Sequence, residues 1–168
     1  MGADDLPGTL AAVAWWALLG VFVAVCVFAA VTDARERRIP NAAVAVGSLA
    51  GLAWIAVATL APASFPASPL ALYGPGVRAA VALAVLGLGF GFEALWRRLR
   101  NGAHGVGMGD VKFCAMAALW LGPDVIFALA LASVVALAVN LPRGRRTFAF
   151  GPYLAFAAIA ALLVRLAF

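Results

Sequence analysis

Apolar residues run along this chain in blocks of about twenty, separated by short polar clusters, a pattern that predicts helices crossing a lipid bilayer. Each residue of such a helix rises about 1.5 Å, so about twenty residues match the hydrocarbon core. The runs cover roughly 10–32, 41–61 and 77–96, then a long apolar stretch reaching residue 140, then 147–168. The long stretch is interrupted by Leu121-Gly122-Pro123-Asp124. Cut there, it gives pieces of roughly 108–121 and 124–140 and six spans in all; uncut, it gives five.

Charge decides between the two counts. With six spans, the clusters Arg35/Arg37/Arg38, Arg97/Arg98/Arg100/Lys112 and Arg143/Arg145/Arg146 share one side, which places 10 of the 12 basic residues there. Arg78 and Arg165 fall on the other side. With five spans the third cluster changes sides. Lys and Arg accumulate in cytoplasmic loops, so the expectation is an all-α polytopic protein of six transmembrane helices in a cytoplasmic (inner) membrane, with both termini outside the cytoplasm. The short fourth piece must then start early, tilt or kink near Pro123. The link at 62–76 is uncharged, holds Pro62, Pro66, Pro69 and Pro75, and reads as a loop.

Composition reinforces lipid as the solvent. Of 168 residues, 66% are hydrophobic and 11% charged, with a mean hydropathy of +1.06. Soluble domains carry about 45–50% apolar and about 25% charged residues. The net charge of +5 does not imply nucleic acid, because the basic residues flank apolar runs. Residues 1–9 hold Asp4 and Asp5 and no Lys or Arg, unlike a cleavable signal peptide. Cys26 and Cys114 lie in apolar stretches and form no CxxC pair, and His104 is the one histidine. No metal site, disulfide framework or organic cofactor is expected. The five tryptophans, Trp15, Trp16, Trp54, Trp96 and Trp120, lie partly where interfacial belts are expected.

Acids at membrane depth are costly and mark function by default. Asp33 closes the first span and Asp110 opens the fourth. Two crossings separate them, so both face the same side at similar depth. Two carboxylates about 3 Å apart cannot both ionise and share a proton. The ionised member then serves as general base on a water, and the protonated member polarises a peptide carbonyl. The pair titrates as one unit, so neither role belongs to one residue. The simpler alternative leaves Asp110 as a helix N-cap and Asp33 paired with Arg35 or Arg37. A transporter using both acids as ion sites is a further alternative, although such sites favour mid-membrane positions.

Three segments carry a family resemblance. Asp33-Ala34-Arg35-Glu36-Arg37-Arg38-Ile39-Pro40-Asn41 resembles the first aspartate motif of type IV prepilin peptidases. Gly107-Met108-Gly109-Asp110-Val111-Lys112 is similar to their GxGD motif, and Phe150-Gly151-Pro152-Tyr153 to the Phe-Gly-Pro segment of their last helix. The resemblance implies an aspartyl endopeptidase that cuts the leader from prepilin-like substrates at the cytoplasmic face, with Asp33 and Asp110 as the catalytic pair and no cofactor. It resembles most the compact peptidases of Tad-type pilus systems and archaeal preflagellin peptidases. The short first link and the absence of CxxC lead us to expect no methyltransferase domain. Presenilin-like proteases fit less well: Thr32 precedes Asp33, and no Pro-Ala-Leu follows Asp110.

Around the two acids, several residues are candidate supports. The loop 101–109 contains Gly102, Gly105, Gly107 and Gly109 and could meet an extended leader through main-chain hydrogen bonds. Lys112 could contact acidic substrate groups or lipid phosphate. Pro40-Asn41 reads as a device fixing the turn after Asp33, and Gly151-Pro152 as a break or start of the last helix. Prepilin leaders are basic, so Glu36 and Glu93, taken as exposed acids, are better candidates for reading them than the arginines are. The basic clusters suit anionic lipid.

Overall fold

Asp33 lies in the last turn of the first helix, α1 (Leu6–Glu36). The helix runs past Thr32 because the Thr32 hydroxyl is satisfied internally, donating to the Phe28 carbonyl at 2.6 Å. It stops at Arg37, whose φ of 53° is left-handed, and the Arg37 amide donates to the Asp33 carbonyl at 2.9 Å. Glycine usually ends helices this way, and a side chain there costs about 1–2 kcal/mol. Pro40 then contributes the carbonyl that accepts from Val44 at 3.3 Å, so it caps α2 (Asn41–Leu60) from just outside. In the computed structural model, residues 6–60, 73–99, 107–143 and 148–167 are described. Most of the proline-rich link, His104, Gly102, Gly105, Arg100, Arg145 and Arg146 lie outside them.

The remaining helices are α3 (Pro75–Leu99), α4 (Met108–Leu121), α5 (Val125–Asn140) and α6 (Gly151–Ala167), with a 3-10 turn at Gly122–Asp124. The described residues contain no strand. Thr9–Glu36, Asn41–Leu60, Pro75–Leu99 and the continuous stretch Met108–Asn140 are long and apolar enough to cross a membrane, while Gly151–Ala167 is apolar but shorter. The stretch Met108–Asn140 is not straight. Gly122 adopts φ 62°, which glycine allows at little cost, and the chain turns back there. Two contacts hold α5 and α6 antiparallel. Asn140 at the end of α5 donates to the Tyr153 hydroxyl near the start of α6 at 2.8 Å, and Arg165 near the end of α6 pairs with Asp124. The bundle therefore has an aspartate end, where α1 finishes and α4 and α6 begin, and a far end.

Small residues let these helices approach closely. Ala128, Ala132 and Ala136 are buried on α5 at four-residue spacing, and Ala155 and Ala158 are buried on α6, the helix against which α5 packs. Tryptophan does the opposite job of filling space. Trp15, Trp54 and Trp120 are buried and stack in sequence, with centroids 6.3 Å and 5.3 Å apart. The Trp120 indole donates to the Gly47 carbonyl at 3.1 Å. These three therefore fill the core by ring stacking and do not form part of an interfacial belt. Trp16 alone of the helix-α1 pair faces outward, 64% exposed.

Candidate active site

The site assembles from three chain segments, each pinned by a glycine. Phe150 supplies the carbonyl accepting from Tyr153 and Leu154 at 3.0 and 3.2 Å, which makes it the cap of α6. Gly151 is then the first helical residue, and its N–H has no partner within the helix. Pro152 has no N–H to satisfy. The free Gly151 N–H donates to Asp33 Oδ2 at 2.8 Å. Asp33, only 6% exposed, thus docks against the positive end of α6. A Cβ on Gly151 would lie 2.8 Å from the Asp33 Cβ, so no larger residue fits without displacing the acid.

Asp110 is held differently. Gly107 is the N-cap of α4 and makes no side-chain cap bond. Its carbonyl accepts from Asp110 and Val111 at 2.9 and 3.2 Å. Asp110 therefore sits in the first turn, three residues inside the cap. This corrects the reading of Asp110 as an N-cap: the capping carbonyl is at Gly107, and the Asp110 carboxylate lies over the Gly107 Cα. A Cβ there would be 2.6 Å from Asp110 Oδ2. Gly109 makes room for a second neighbour, since its Cβ would meet the Ile39 Cβ at 3.2 Å and the Ile39 amide nitrogen at 3.4 Å. Ile39 belongs to the turn that follows Asp33. The two glycines of the Gly-x-Gly-Asp run thus bring the α1–α2 turn and the Asp110 carboxylate onto the start of α4.

The two acids share one neighbourhood. Phe150 lines the same groove as Asp110, and the next residue binds Asp33. Among the described residues, no arginine or lysine lies within ion-pair distance of either carboxylate. The alternative pairing of Asp33 with Arg35 or Arg37 therefore fails: those side chains are exposed, while Asp33 points inward to α6. No group of three His, Cys, Asp or Glu capable of holding a metal occurs among the described residues.

Other candidates fall to the side. Lys112 donates to the Asn41 Oδ1 at 3.0 Å and lines a different groove from Asp110. Two residues along a helix turn it by about 200°, so Lys112 and Asp110 face nearly opposite ways. Lys112 and Asn41 tie α4 to the start of α2. Glu93 is not an exposed acid. It is 3% exposed and accepts from Arg97 Nε at 2.9 Å, because α3 turns that face into the bundle. Glu36 remains exposed. Asn140 carried no signal in the sequence, yet it is buried and bonds both the Ala136 carbonyl and the Tyr153 hydroxyl at 2.8 Å. It fastens the α5–α6 hairpin two residues from Gly151.

These features define a class: an integral membrane protein of apolar helices that carries two carboxylates, far apart in sequence, at one end of its bundle. Residues 20–141 match the type IV leader peptidase family, and the chain belongs to that family. It is 40% identical over 80 residues to the prepilin leader peptidase/N-methyltransferase of Neisseria gonorrhoeae, covering 42% of this chain and 28% of that protein. It is 38% identical over 95 residues to the protein of the same name from Burkholderia pseudomallei, covering 51% of this chain and 31% of that one. The chain thus spans less than a third of the length of these relatives. No solved structure matches it.

Proposed function

We propose that this protein is a membrane-embedded aspartyl endopeptidase that removes the leader from type IV prepilin-like proteins, with Asp33 and Asp110 acting on one water. The observation that supports the reading is a buried Asp33 and a half-buried Asp110 at the same end of the bundle, each in contact with a motif glycine, with no cation beside them among the described residues. A buried acid without a counter-ion is expensive. Its retention is understandable where a shared proton replaces the missing cation.

The pair begins with one proton between two carboxylates. The ionised member takes a proton from water as the water oxygen bonds to the scissile carbonyl carbon. The protonated member gives its proton to the carbonyl oxygen, leaving a neutral tetrahedral diol. The C–N bond then breaks: the pair returns a proton to the amine, takes one from the diol, and ends as it began. No covalent intermediate and no cofactor enter. The reading is limited to hydrolysis.

The topology proposed with it has six crossings. The reversal at Gly122 favours α4 and α5 as separate crossings. Arg35, Arg37, Arg38, Arg97, Arg98, Lys112 and Arg143 lie toward the aspartate end, whereas Arg78 and Arg165 at the far end are engaged by protein partners. Positive loops face the cytoplasm, which puts the aspartate end there and both termini opposite. With 14 residues, α4 rises about 20 Å, short of the roughly 30 Å core. The partners are prepilin-like substrates and membrane lipid, not nucleic acid.

The test is processing of a purified type IV prepilin in vesicles. Wild-type protein is expected to shift the substrate to its mature size. Asp33→Asn and Asp110→Asn are each expected to insert normally and cleave nothing. Processing by either variant at a rate near wild type contradicts the assignment.

A further inference from the structure

Two apolar grooves flank α3, and both have α4 as their floor. One lies toward α2, has a volume of about 550 Å³, and carries Lys112. The other lies toward α5, has a volume of about 570 Å³, and carries Asp110. The second is walled by Val81, Val85 and Leu88 of α3 and by Ile126 and Leu129 of α5, and Phe150 stands beside Asp110 at its end. Asp110 is the one charged residue in its lining.

We infer that the α3/α5 groove receives an apolar helical segment of the substrate, next to the bond to be cut, and delivers that bond to the two acids. The inference rests on the peptidase reading above and adds the route to it. A chain lying at bilayer depth must satisfy its own backbone, and a helix does so. The α3 wall from Val81 to Phe92 is about 17 Å long, enough for about three turns of an apposed helix. Its far part is wholly apolar, while its near end opens on a carboxylate, so the lining changes from lipid-like to reactive along one direction. The α2/α3 groove ends instead on a cation, Lys112, bonded to Asn41. The α3 wall is also pinned where the groove meets the site: a Cβ on Gly89 would collide with Val111, the residue after Asp110. The α3 wall and the acid are thus held in one register.

The test places bulk in each groove and reads cleavage kinetics of a purified prepilin in vesicles. Ala84 lines the α3/α5 groove, and Ala79 lines the α2/α3 groove. Ala84→Trp is expected to raise KM at least tenfold with kcat within twofold of wild type, and Ala79→Trp to leave both unchanged. In parallel, a benzophenone photocrosslinker replacing Leu129 in the Asp33→Asn background is expected to capture the uncleaved substrate through its apolar segment. If Ala84→Trp does not insert, the crosslink alone decides. Wild-type KM in Ala84→Trp, or a crosslinker at 129 that captures only lipid, overturns the groove while an active wild type keeps the peptidase reading. A wild type that cleaves no prepilin removes both.

Discussion

Arg78 at the far end and Asp33 at the aspartate end are both buried charges in the same bundle, yet their surroundings differ completely. Arg78 is 0% exposed. It donates to the carbonyls of Leu119 and Trp120 at the end of α4 and to that of Tyr73, and its guanidinium lies 5.1 Å from the Trp54 ring. Nearby, Arg165 pairs with Asp124 and covers the Tyr73 ring, and the Tyr73 hydroxyl reaches Asp124. Charge there is matched by partners and serves to close the helix ends. At the aspartate end, Asp33 has one backbone N–H, from Gly151, and Phe150 just before it lines the groove that holds a second acid, Asp110. The cost of burial is similar at both ends. Matched charge reads as architecture, and unmatched charge of like sign reads as chemistry.

That contrast is open to experiment. The largest effect is expected at Gly151→Ala, where the added Cβ must displace Asp33. Misplacement of a reacting group by about 1 Å costs about 100-fold in rate, so kcat should fall by about two orders of magnitude. The melting temperature should stay near wild type. A full-rate Gly151→Ala enzyme breaks the claim that α6 positions Asp33. Next comes Arg78→Met, which strips the carbonyls of Leu119 and Trp120 of their donor. Stability measured by denaturation in detergent should drop by about 1–3 kcal/mol with kcat of the folded fraction unchanged. A rate loss without a stability loss would dissolve the distinction between the two ends.

Asn140→Leu should have a smaller effect. It removes two hydrogen bonds beside the site and leaves the Tyr153 hydroxyl without its donor, an expected loss of about 1–2 kcal/mol, read by the same denaturation. The smallest effect is expected at Arg37→Gly, which relieves the left-handed strain at the end of α1. Stability should rise by up to about 1 kcal/mol, and a fall would show that the Arg37 side chain holds the turn through contacts of its own.

Much of the aspartate end was legible because its logic is local. A span that ends in an acid, and a span that begins with glycine, glycine and acid, can be read without tertiary knowledge. So can the parity that brings their ends to one side. The reason for each glycine was not legible, since Gly109 answers to Ile39 and Gly151 to Asp33, neighbours 70 and 118 positions away in sequence. Rotation of a helix about its axis was hidden as well. Apolar faces all round give no amphipathic stripe to orient α3, so Glu93 was read as exposed although it turns inward. The same ambiguity hid the buried stack of Trp15, Trp54 and Trp120. The far end was the least visible: Arg78 and Arg165 counted only as charges on the opposite side, because a list of charges does not reveal which carbonyls or carboxylates will meet them.

The central claim is that Asp33 and Asp110 act as one unit, and the most direct measurement compares residual cleavage rates of Asp33→Asn, Asp110→Asn and the double variant in the same vesicles. Groups that act together are not additive when removed. The account predicts that both single variants fall to the same background as the double variant. Substantial cleavage by either single variant, or a double variant slower than both by the product of their losses, would contradict it.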